Sequence, residues 1–116
     1  MPDFSKTYSQ LVIQPIDLIY TFNVDFCFAS VIKWLTKWHM DGRKNEHLSK
    51  AKYYLDLCGY TKPSKELYFA IRLYCMINGF ITKEQKRCLL ERVSYELLVS
   101  SNMDNAKKLL ANQVCE

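Results

Sequence analysis

Glycine and proline are scarce, three of each in 116 residues, and no Gly-rich run occurs anywhere in the chain. That scarcity rules out the loops that cradle phosphates. Neither G-x-x-x-x-G-K-[ST] nor G-x-G-x-x-G is present, which excludes a conventional P-loop kinase. H-E-x-x-H, a G-x-S-x-G elbow and a run of alternating acidic residues are also missing, so no recognisable motif for metal catalysis, nucleophilic catalysis or a hard cation is found. No apolar stretch approaches the roughly 18 residues a membrane span needs. Met1 to Gln10 lacks the basic start and apolar core of a signal peptide, which predicts a cytosolic protein. The five cysteines are odd in number and widely spaced, with no C-x-x-C pair and no His at ligand spacing. This speaks against a zinc site or a disulfide framework. Most of the cysteines are expected to be small buried hydrophobes.

What is present fits one ordinary globular domain spanning residues 1 to 116: 49% hydrophobic and 24% charged residues, with a net charge of +4. The mild positive balance admits anionic partners without making the protein a polycation. Hydrophobic spacing predicts an all-α domain of five or six helices built on an αα-hairpin. Pro15 opens a short helix over 15–21. From Asn23, read as an N-cap, the residues Val24, Cys27, Phe28, Val31, Trp34, Leu35 and Trp38 recur at three and four. Asp41 to Asn45 breaks this helix, with Asn45 as the next cap. A partner helix follows over Glu46 to Cys58, its apolar face made by Leu48, Ala51, Leu55 and Cys58, and Gly59 as its stop. Residues 60–116 add further helices. Leu67 to Asn78 is apolar all round and is therefore expected at the centre. Thr82 and Gln85 have capping-box spacing for a long helix through Leu98, and a last helix is expected from Asp104 to Gln113. The only strand-like stretch is Tyr8 to Ile13.

One polar stripe stands out. Ser30, Lys33 and Lys37 stack on one face of the first hairpin helix, with Phe26 a turn earlier and Arg43 and Lys44 in the loop beyond. A hydroxyl and several cations in that pattern suit phosphate oxygens, although lysines opposite an apolar stripe also describe a solvated helix face. Phe26 is unexplained by solvation and suggests a contact surface for a base, a protein or another copy of the chain. His39 and His47 flank the loop as an acid–base pair or as ordinary helix-end residues. Trp34 and Trp38 fall on the core stripe. Tyr53, Leu57, Cys88, Tyr95 and Val99 point away from their helices' main apolar faces, which suggests burial between chains and hence a homo-oligomer.

Gln14-Pro15-Ile16-Asp17-Leu18-Ile19, Phe28 to Lys37, and Glu46 to Leu55 together resemble the SaV-like family of small bacteriophage proteins, across about residues 14 to 57. The resemblance implies a phage protein acting in the cytoplasm of the host cell. It carries two functional associations: a nucleotide kinase without a P-loop that phosphorylates deoxynucleoside monophosphates, and an early protein that binds a host abortive-infection protein. By position, the family's Asn falls on Ser30, its Lys on Lys33, its Arg on Lys37, its acidic pair on Glu46 and His47, and its second Lys on Lys50. Ser30 has no amide fork and Lys37 lacks the bidentate geometry of Arg, while His47 is not an acid. Those departures weaken a nucleotide site more than a protein interface.

The first reading is therefore an early protein that binds a macromolecular partner, a host or defence protein, as a homo-oligomer with no cofactor and no metal. The alternative is a nucleotide-binding protein or nucleotide kinase using ATP and magnesium. In that case Lys33, Lys37, Arg43 and Lys50 would hold phosphates, and Glu46 or His47 would assist proton transfer. Nucleic-acid binding has the charge but lacks a recognition motif, and no membrane role is expected.

Overall fold

The computed structural model describes residues 11–59 and 61–113, and the six helices among these residues make a single all-α domain. They are α1 (Pro15–Phe22), α2 (Phe26–Met40), α3 (Asn45–Leu57), α4 (Lys65–Ile77), α5 (Leu89–Leu98) and α6 (Met103–Ala111). Of the Tyr8 to Ile13 stretch, residues 11–13 form no strand and the rest lies outside the described residues.

The helix ends show which polar residues the chain uses as punctuation. Pro15 starts α1, and the Asp17 carboxylate accepts from Gln14 N–H at 2.9 Å. Asn23 is not the cap of α2. It takes a left-handed φ of 50° and closes α1, a conformation its short polar side chain tolerates. Asp25 caps α2 instead, accepting from Phe28 N–H at 3.1 Å. Asn45 likewise lies inside the first turn of α3, because Gly42 (φ 70°) and Arg43 (φ 59°) turn the chain early. Cys58 closes α3 through its backbone N–H to Leu55 O, and Gly59 needs no left-handed conformation there. Ser64 caps α4 by accepting from Leu67 N–H at 3.1 Å. The Thr82 hydroxyl accepts from Gln85 N–H at 2.9 Å, but Thr82 N–H bonds the Gln85 backbone carbonyl, so the two close a local turn rather than cap a helix. Cys88 is still extended at φ −112° and ψ 167°, so α5 begins only at Leu89.

The α2–α3 hairpin is the most extensively packed pair, and α2 also meets α1 and α5. Helix α5 touches α2, α4 and α6, and α6 returns to α3, so α2 and α5 form the middle of the domain. Phe28, Val31, Ile32 and Leu35 of α2 are buried against Leu48, Ala51 and Leu55 of α3 and Leu90, Val93 and Leu97 of α5. Helix α4, expected at the centre, is peripheral. It buries Leu67, Tyr68, Ile71, Tyr74 and Cys75, while Phe69 (62% exposed), Leu73 (53%), Met76 (48%) and Ile77 (41%) face solvent. Among the described residues α5, the short α1 and, through Tyr74, α2 line its inner side, and its outer apolar side is exposed. The chain before α1 is tied to the end of α4 by Asn78, whose Oδ1 accepts from Val12 and Ile13 N–H at 2.9 and 3.1 Å.

Hydrogen-bonded polar side chains also sit inside this core. Tyr74 and Thr36 share a hydroxyl–hydroxyl bond of 2.8 Å between α4 and α2, and the Thr36 hydroxyl also lies 2.8 Å from Ile32 O. Glu91 is fully buried at the start of α5. Its carboxylate accepts from Arg87 Nε and Nη2 at 2.7 and 2.8 Å and from the Tyr68 hydroxyl at 2.7 Å. Sequence reading missed this network because Arg87 and Glu91 look like any surface pair at i,i+4.

Candidate functional site

The candidate residues of the hairpin separate into three places. The first is a groove of about 510 Å³ between α1 and α2, lined by apolar Ile16, Ile19, Val24 and Phe26, with Ser30 and Lys33 beside them. Phe26 is 71% exposed and meets Tyr54 of α3 edge-on at 5.8 Å. Ser30 is buried in the wall of this groove, which differs from its expected place on a solvated stripe. Phe26, Ser30 and Lys33 are thus brought together, but on an apolar surface rather than in a nest of cations.

The second place is centred on Trp34. Its ring is not buried in the core like that of Trp38 but half-covered, with Lys50 Nζ 4.2 Å and Lys37 Nζ 5.1 Å from the ring centre. The His47 ring stacks on it at 5.7 Å with 23° between planes. Antiparallel pairing of α2 with α3 places residues 34 and 37 opposite 47 and 50, a juxtaposition that spacing within either helix cannot show. The indole is therefore already engaged by two ammonium groups and an imidazole, the partners its electron-rich face prefers.

His47 is also not the surface residue its helix-end position suggested, being only 5% exposed. Its Nε2 lies 3.0 Å from Asp41 Oδ2, and Nδ1 is buried with no hydrogen-bond partner. The third place is the loop around this carboxylate. Lys44 Nζ reaches Asp41 at 3.3 Å, and Glu46 Oε1 lies 3.9 Å from His47 Nε2. Bonds from His47, then Lys44, hold the Asp41 carboxyl below its ordinary value. Arg43 turns the other way, 5.2 Å from the centre of Trp38 and 3.4 Å from Gln85 Oε1. His39 is separate from His47: it packs between Trp38 and Phe80 and accepts from Leu90 N–H at 3.4 Å.

The described cysteines, scattered in sequence, come together in two pairs. Cys75 and Cys88 are both fully buried and adjoin each other between α4 and the start of α5. Contact with the Cys75 thiol draws the Cys88 pKa down, against its burial and with help from His39. Cys27 and Cys58 meet where α2 begins and α3 ends, beside Asp25. No short motif marks either pair, because the partners lie on different helices; Cys115 is outside the described residues. No family model, no curated protein and no solved structure matches this chain, so the reading of its function rests on these residues.

Proposed function

We propose that this chain is a phage-encoded early protein that acts by binding a macromolecular partner, a host or defence protein, and that it self-associates. The observation that carries this reading is the outer face of α4. Phe69, Leu73, Met76 and Ile77 recur at offsets of four, three and one, so they form one continuous apolar stripe on a helix that its neighbours leave open. An apolar stripe of that kind in a small domain marks an interaction surface. The resemblance of residues 14–57 to the SaV-like proteins supports the phage context, and the lack of an enzyme motif supports binding over catalysis.

The test is a Leu73→Glu variant compared with wild type in light scattering and in recovery of partner from infected cells. Leu73 is exposed, so helical content should be unchanged, while a charge at the middle of the stripe should reduce the mass to that of one chain and abolish recovery. Equal mass and equal recovery for the two proteins would remove α4 as the docking face.

The second reading, a nucleotide-binding protein or a deoxynucleoside monophosphate kinase using ATP and magnesium, is favoured by one observation: Lys37, Lys50 and His47 converge on Trp34 from two helices. A nucleotide at about 100 times its dissociation constant should stabilise the fold by roughly 2.7 kcal/mol. Thermal unfolding against nucleoside mono-, di- and triphosphates at low salt measures this. Lys50→Ala should erase the shift, and a flat panel for wild type would end the nucleotide reading.

A further inference from the structure

Cys27, Cys58 and Asp25 bring two sulfurs and a carboxylate together where the hairpin helices meet. Asp25 and Cys27 stand at the first turn of α2 and Cys58 at the last turn of α3, and one ligand atom from each lies within 4.8 Å of the others. Tetrahedral thiolate coordination at about 2.3 Å places two sulfurs roughly 3.8 Å apart, so closure around an ion needs a movement of about an ångström or less. The α2–α3 interface that holds the three residues is the most extensively packed in the domain. Asp25 is anchored by its bond from Phe28 N–H, and Cys58 donates its S–H to Tyr54 O at 3.3 Å.

We propose that Asp25, Cys27 and Cys58 form a binding site for one thiophilic divalent cation of the zinc and cadmium class, with solvent completing the tetrahedron. Two sulfurs and one carboxylate oxygen select a borderline-soft ion over magnesium or calcium, which favour all-oxygen sites. Asp25 is exposed, Cys27 half-buried and Cys58 buried, so the ion approaches from the Asp25 side and its innermost ligand is shielded from water. Burial first, then the neighbouring Cys27 and Asp25, pushes the Cys58 thiol up to about 12, so an ion must displace a proton there and affinity rises with pH.

The experiment adds cadmium alone to the purified full chain, kept reduced by a phosphine. It follows the ultraviolet thiolate-to-cadmium charge-transfer band together with the number of ions bound at equilibrium. The expected result is one ion per chain, with a band that is lost in Cys27→Ser and Cys58→Ser, retained in Cys75→Ser, and unaffected by excess magnesium. Asp25→Asn keeps a good helix cap, so the fold is preserved while cadmium affinity falls at least about tenfold. Cys58→Ser alters a buried position and is checked by circular dichroism. Cys27→Ser and Asp25→Asn, at the open side of the cluster, carry the test if Cys58→Ser unfolds. Absence of the band, its survival in Cys27→Ser, or its loss only in Cys75→Ser would overturn the proposal.

Discussion

Replacing Arg87 with Met is expected to destabilise the domain by about 3 kcal/mol at neutral pH, far more than an exposed i,i+4 pair is worth. The reason is the position of its partner. Glu91 is fully buried in the first turn of α5, where Arg87 supplies two of its three side-chain donors and Tyr68 the third. Without the guanidinium, a buried carboxylate is left with one hydroxyl. The Arg87 side chain is itself half exposed, so water screens the pair and the lower end of the range for breaking a buried ion pair applies.

The pH dependence gives this expectation a sign. Burial alone would raise the Glu91 pKa, but the Arg87 guanidinium and the Tyr68 hydroxyl outweigh it and hold the group below its ordinary value. A carboxylate with a depressed folded pKa contributes stability above its unfolded value, and that contribution is lost as pH falls through the folded value. In the Met variant burial dominates, the folded pKa rises above the unfolded one, and acid relieves the defect. Urea unfolding of both proteins at pH 7 and near pH 4 should therefore show the gap closing. Parallel stability curves would show that Glu91 does not depend on Arg87.

The second large effect distinguishes two views of which helix is central. Leu35→Ala, at a fully buried position in the middle of α2, is expected to cost about 3 kcal/mol, because α3 and α5 hold the surrounding wall open as a cavity. Leu73→Ala on α4 removes the same atoms from a half-exposed position and should change stability by about 0.5 kcal/mol or less at dilute concentration. Urea midpoints of the two variants decide the matter. The reverse order would place α4 at the centre, as its all-round apolar sequence suggests.

How much of this was legible in the sequence differs between elements. The hairpin was readable because Val31, Leu35 and Trp38 repeat at the helical period and Gly42 interrupts them. The peripheral place of α4 was not. Residues 67–77 are apolar on every side, and nothing local distinguishes a helix surrounded by its own chain from one that offers a face outward. Capping residues were misassigned for a related reason. Asn23 and Asp25 are both good caps in isolation, and the choice depends on which of them must turn the backbone left-handed to bring α1 back against α2. Thr82 made one of the expected capping-box bonds, accepting from Gln85 N–H, but its own N–H goes to the Gln85 backbone carbonyl and closes a turn, because capping-box spacing tests four residues and not the helix that should follow.

The candidate site divides in the same way. Lys33 and Lys37 were visible as one stripe, but their actual neighbours were not: Phe26 and the α1 groove on one side, Trp34, His47 and Lys50 on the other. Periodicity, composition and missing motifs by themselves determined an all-α chain with an amphipathic hairpin and without a phosphate-binding loop. These properties depend on residues within a few positions of one another. The tertiary structure alone decided that α2 is central, that Glu91 is buried against Arg87 and Tyr68, and that the four described cysteines meet in pairs. Each of these rests on contacts between helices, set by how whole apolar faces pack, and no local spacing encodes them.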